Sequence, residues 1–288
     1  MLDKKSQVTI FMILGIILLL SLLVLVYFKV IVTDKSSEIE KTTTQQFSDD
    51  PIKFYIERCI ENTAKKGVFL IAEHGGYISP SGIAKYNESG DTEGFYNYYY
   101  FENKKLPYAL DDGIIKLRPK KDIENVLSNY IKVELNTCLE NFSFFKKQGF
   151  VFEYPELDLT TKGSNVSVLI GDSNVFVNVN WPLTIKKGNY KANLHEFGSS
   201  IDLRFGLLYS MAQRLVADAS RQQPFDVAGK CRDYLPKDNL VNLYLESNTY
   251  TYQYVIRIID IQSLIKWDLP LKFQFAVKNM ELYGECVG

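Results

Sequence analysis

The residues best equipped for chemistry in this chain are four cysteines, Cys59, Cys138, Cys231 and Cys286. An even count without Cys-x-x-Cys spacing argues against zinc and thiol exchange. It favours structural disulfides, which persist in an oxidising compartment. Four cysteines allow three pairings. The expected one joins Cys59 to Cys138, both on apolar helix stripes, and Cys231 to Cys286, which would tie down a tail. Buried free thiols are the alternative for the helical pair.

The two histidines, His74 and His195, are weaker candidates. A hydrolase would need His74, or His195 with its neighbour Glu196, gathered in one pocket with other polar groups. Neither histidine shows metal-ligand spacing. Gly-x-Ser-x-Gly and His-Glu-x-x-His are absent, so no local motif assembles a nucleophile, a base and an orienting group. The reading therefore assigns no catalytic residue, no cofactor and no metal.

Residues 95–101, Phe-Tyr-Asn-Tyr-Tyr-Tyr-Phe, form an aromatic run with two readings. Exposed, it is a platform for a sugar or a protein, since Tyr joins a large apolar face to a polar tip. Buried on alternate positions it is an aromatic strand, the reading preferred here because aromatics favour strands. Asn-x-Ser acceptor sequences at Asn87 and Asn165 are candidate N-glycosylation sites. A third, at Asn141, falls in an expected helix and suits the reaction least.

Charge narrows the classes of partner. With 33 basic against 34 acidic residues, the chain has no electrostatic footprint for DNA or RNA. The 19 Tyr, 18 Phe and 2 Trp, with ordinary Gly and Pro, indicate a packed β-containing globule.

The elements that hold these residues begin with an apolar helix. Residues 8–28 carry no charge, and about 20 apolar residues at a rise of about 1.5 Å cross a hydrocarbon layer of about 30 Å. A cleaved secretory signal has a shorter apolar region and a small-x-small cleavage site, whereas this one ends in Tyr27, Phe28 and Lys29. Lys4 and Lys5 precede it, so the positive-inside rule keeps residues 1–6 cytoplasmic and sends the bulk of the chain outside the plasma membrane. The expected organisation is a leader at 1–6, a transmembrane helix at 7–32, a polar linker at 33–48 and an extracellular domain at 49–288, with a sub-boundary near 150.

Within that domain, Ile52, Tyr55, Ile56, Cys59, Ile60, Thr63, Gly67 and Ile71 recur at helical spacing, between Pro51 in the first turn and the Gly75-Gly76 stop. A second helix is expected from about Pro119 to Lys147, ending at Gly149, and a third over residues 200–222, closed by Pro224. "Cys-Ile-Glu-Asn" at 59–62 and "Cys-Leu-Glu-Asn" at 138–141, each followed by Lys-Lys and Gly, hint at a duplication carried by few shared letters. Alternation of period two marks a hairpin through Val166–Val168–Ile170 and Val175–Val177–Val179–Trp181, bent or ended at Pro182, then a third strand after residues 186–189. Later strands centre on Leu243, Ile256 and Phe275, with residues 247–249 as a turn. Strands and helices without a βαβ rhythm predict an α+β fold with antiparallel sheet.

The leader carries a resemblance. Lys4-Lys5-Ser6-Gln7 followed directly by an apolar helix resembles the class III signal of archaeal type IV pilins. That resemblance implies peptidase cleavage between Ser6 and Gln7 and a helix retained for filament assembly or anchoring. The fifth residue after this cut is Phe11, where many such subunits carry Glu. The start "KKSQVTIF", with "CIEN", "VNVNWPLTIKKGN" and "FQFAVKN", resembles a family of uncharacterised single-span exported proteins of small-genome archaea, which implies no activity. The expected function is a membrane-anchored extracellular protein with a binding or structural role, held to lipid by residues 8–28. Its partners would be a cell-surface protein, a glycan or further copies of itself. A pilin-like filament subunit and an extracellular hydrolase are the alternatives.

Overall fold

Pro51 sits in the first turn of helix α1 (Asp50–Glu73), where its missing N–H breaks no helical bond. The helix buries Ile52, Ile56, Cys59, Ile60, Thr63, Gly67 and Ile71 of the expected stripe, with Val68 besides, while Tyr55 is only half-buried. Gly75 and Gly76, at φ of +61° and +102°, end it, and the Gly76 N–H reaches back to the Ile71 carbonyl at 2.8 Å. The computed structural model describes residues 50–78, 98–157, 165–248, 252–284 and 286, which fall in one compact unit. Among these residues no helix is long and apolar enough to cross a membrane. The expected leader, span and linker lie outside the described residues, as does Asn87.

Helix α2 (Lys120–Leu139) packs against α1. At Gly67 the approach is so close that an added Cβ would lie 2.5 Å from Leu127 Cδ1. The expectation of one helix running on to Lys147 is corrected. Glu140, Asn141 and Phe142 all take positive φ, and a separate helix α3 (Ser143–Lys147) follows. The break turns Phe142 inward, where it stacks on Phe152 at a centroid distance of 4.3 Å and on Trp181 at 6.1 Å. Asn141 therefore lies in an exposed left-handed turn and not in a helix.

Strands β1 (Tyr98–Phe101), β2 (Lys104–Asp111) and β3 (Ile114–Ile115) form a meander. They join β9 (Val241–Asn248), β10 (Gln253–Asp260) and β11 (Leu271–Lys278) in the main sheet, of order β1-β2-β11-β10-β9 with β3 paired to β2. Antiparallel pairing throughout is corrected here: β2 runs parallel to β11, so the sheet is mixed. A small second parallel pair joins β8 (Phe225–Asp226) to β12 (Leu282–Tyr283). The expected turn at 247–249 begins later, because β9 continues through Asn248, paired with Gln253.

The second sheet holds β4 (Val151–Glu153), β5 (Asn165–Ile170), β6 (Val175–Lys187) and β7 (Tyr190–Ile201), all antiparallel. Its inner face, with Val168, Val177, Val179 and Trp181 buried, meets α1 at β7 and α2 at β5. Helix α1 also touches β11, so both sheets share it. Helix α4 (Phe205–Arg221) starts later than expected, since residues 200–201 finish β7, and covers the main sheet with Phe205 and Tyr209 against Phe273. Two short helices, α5 (Cys231–Tyr234) and α6 (Ile261–Trp267), complete the elements described here.

Candidate functional site

Disulfides join Cys59 to Cys138 and Cys231 to Cys286, with Cα atoms 5.6 and 5.5 Å apart and sequence separations of 79 and 55. The first ties α1 to the C-terminal end of α2, where the Tyr55 hydroxyl donates to the Cys138 carbonyl at 3.0 Å. The second holds Cys286 as an antiparallel bridge partner of Leu243 on β9.

The two histidines fall on different elements. His74 Nδ1 lies 2.8 Å from the Leu70 carbonyl at the end of α1. His195 is exposed on β7 beside Glu196, at a bulge where Trp181 and Pro182 of β6 oppose it alone. Proline has no N–H to offer the ladder, which is why the register slips at that point. Among the described residues, no group of three or more His, Cys, Asp or Glu could hold a metal ion.

The aromatic run divides as strand alternation requires. Tyr99 and Phe101 pack on a small core of Leu106, Tyr108, Val255 and Ala276, while Tyr100 is 61% exposed. The Arg257 guanidinium lies 5.7 Å from the Phe101 ring centroid and pairs with Glu246 and Glu102. Residues 95–97 lie outside the described residues.

The internal charges serve the architecture. Arg204, at the start of α4, donates to Asp260 at 2.5 Å and also to Asp238. Burial works against its charge, but the two carboxylates outweigh it and hold the guanidinium protonated above its ordinary range. The Tyr234 hydroxyl is pushed far up, first by burial and then by its hydrogen bond to Asp218. Arg204 is thus paired with two carboxylates and Tyr234 with one, while the buried Arg204 Nε has no hydrogen-bond partner among the described residues.

The outer face of the four-stranded sheet offers different chemistry. Because strand side chains alternate, the burial of Val166, Val168 and Val177 turns Ser167, Leu169, Phe176 and Asn178 to solvent. Register sets them in cross-strand rows: Leu169–Phe176–Ser200, then Ser167–Asn178–Gly198, then Asn165–Asn180–Glu196. The first two rows line an open depression of about 520 Å³. Leu169 and Phe176 are 60% and 47% exposed. Asn174 Nδ2 lies 3.3 Å from Ser200 Oγ at one end. Among the described residues, the side chains of Ser167 and Asn178 have no hydrogen-bond partner, so they are open to a ligand.

Gly198 makes the hollow. Among the described residues, a Cβ built there would find its nearest neighbour, the Val177 carbonyl oxygen, 3.9 Å away, so their packing does not demand glycine. This face escaped the sequence reading. Its signals are two apolar residues, Leu169 and Phe176, at the outward beat of an alternating pattern, and a glycine in mid-strand. Asn165 and Ser167 of one sequon both point outward on this face. In the other described sequon, Asn141 Oδ1 accepts hydrogen bonds from Lys146 at 2.7 Å and Tyr154 at 2.5 Å.

No family model matches the chain, and no curated protein or solved structure is significantly similar to it.

Proposed function

We propose that this chain is a membrane-anchored cell-surface protein that binds a partner and catalyses no reaction. Two disulfides joining segments 79 and 55 residues apart carry this reading, because such bonds persist outside the reducing cytosol. The apolar stretch at 8–28 supports an anchor preceded by a cytoplasmic leader. The outer face of the four-stranded sheet supplies a recognition surface, with apolar area and open polar groups side by side.

The test is made on the full-length protein in intact cells. External protease should remove the domain beyond residue 48, alkylation without reduction should find no free thiol, and the mature N-terminus should be Met1 or Leu2. A start at Gln7 would replace the simple anchor by a pilin-like subunit. Protection from protease together with four free thiols would overturn the reading.

A further inference from the structure

We propose that the depression on the outer face of the four-stranded sheet binds a neutral glycan. This names the ligand class for the cell-surface recognition reading and rests on it. Among the described residues, the lining combines an apolar floor with hydroxyl and amide groups and carries no Lys, Arg, Asp or Glu. An anionic ligand would find no cation to pair with in it, and a cationic ligand no carboxylate. A neutral one loses nothing by leaving water there except hydrogen bonds that the face can replace.

A pyranose matches what remains. Its ring has one face of aliphatic C–H groups, which suits the Phe176 ring and the Leu169 side chain, adjacent in register across β5 and β6. Its hydroxyls each donate and accept, as do Ser167 and Ser200, and the Asn178 amide offers both an acceptor and donors. The volume of about 520 Å³ falls within the roughly 300–1,000 Å³ typical of small-ligand sites.

Gly198 supplies the independent observation. Glycine weakens a strand interior and is normally explained there by a bulge, a special φ or a close approach. Gly198 has none of these: its φ lies outside the left-handed range, its pairing with Asn178 is regular, and a Cβ would touch nothing closer than 3.9 Å. A side chain at 198 would fill the hollow beside Asn178.

The experiment uses the full-length chain in lipid nanodiscs, which avoids glycoside detergents. An Asn165→Gln background keeps any sugar on that sequon from acting as the ligand. Neutral oligosaccharides of two to six glucose, galactose, mannose or N-acetylglucosamine units are titrated by calorimetry and saturation-transfer NMR. The proposal expects binding by at least one of them, weakened at least about tenfold by Phe176→Ala. Gly198→Val should abolish it while leaving the circular dichroism spectrum and the melting temperature essentially intact, since valine suits a strand. Three results overturn it: no binding by any neutral oligosaccharide, binding that survives both substitutions, or a dimer of the chain that Phe176→Ala dissolves. Cell-surface exposure, measured separately by protease, shows whether the wider reading fails with it.

Discussion

Asp260 is 1% exposed and does two jobs at once. Its carboxylate caps α6 by accepting from the Gln262 N–H at 3.0 Å, and it neutralises Arg204, itself only 9% exposed. Asp260→Ala would leave Arg204 paired only with the exposed Asp238, so it should lower stability by about 3 kcal/mol in urea denaturation, the lower end of the cost of breaking a buried pair. Asp111 sets a pH dependence. Burial alone would raise its carboxyl, but hydrogen bonds from Lys116 and Lys278 and their charges prevail and hold it below the ordinary range. A carboxyl depressed in the folded state stabilises fully above its unfolded value, about 3.9, and loses that contribution as pH falls through its folded value. The urea midpoint should therefore drop as pH is lowered below about 4, and Asp111→Asn should flatten part of that drop. None of these partnerships was legible in the sequence, because Arg204 meets carboxylates 34 and 56 residues away and only the tertiary fold selects them. The cysteines were legible, because their even number and the placement of Cys59 and Cys138 on apolar stripes are local facts.

At the scale of elements, β1 shows what periodicity can and cannot reveal. Alternation separates Tyr99 and Phe101, which pack inward, from the exposed Tyr100. Phe101→Ala should cost about 2 kcal/mol through lost packing, and Tyr100→Ala should stay within about 0.5 kcal/mol, both read from thermal melts. The stripes of α1 and α4 and the β5–β6 hairpin were equally visible, because a period of 3.6 or 2 is written into neighbouring residues. The break after Leu139 was not, since no Gly or Pro interrupts residues 140–147 and apolar spacing continues through Phe142 and Phe145, while the cause is Phe142 joining Phe152 and Trp181 from elsewhere. Parallel pairing of β2 with β11 was hidden for the same reason: no turn connects them, and more than a hundred residues intervene. The outer face of the four-stranded sheet escaped the sequence reading, its outward Leu169 and Phe176 apparent only once the inner face was known.

For the whole molecule, the two cystines close long loops, and chain entropy assigns each about 4 kcal/mol. Replacing Cys59 and Cys138 together by Ser should lower the melting temperature markedly without changing strand content. The bond at Cys286 has a further consequence through its partnership with Leu243, whose N–H and carbonyl both bind Cys286. That contact occupies part of the outer margin of β9, where unsatisfied backbone groups invite foreign strands. A polypeptide held under reducing conditions, before this staple closes, should thus be prone to clump, and a Cys231→Ser/Cys286→Ser double variant should scatter light on standing while the parent stays clear. Oxidation would then act as a maturation step that renders the protein safe to accumulate.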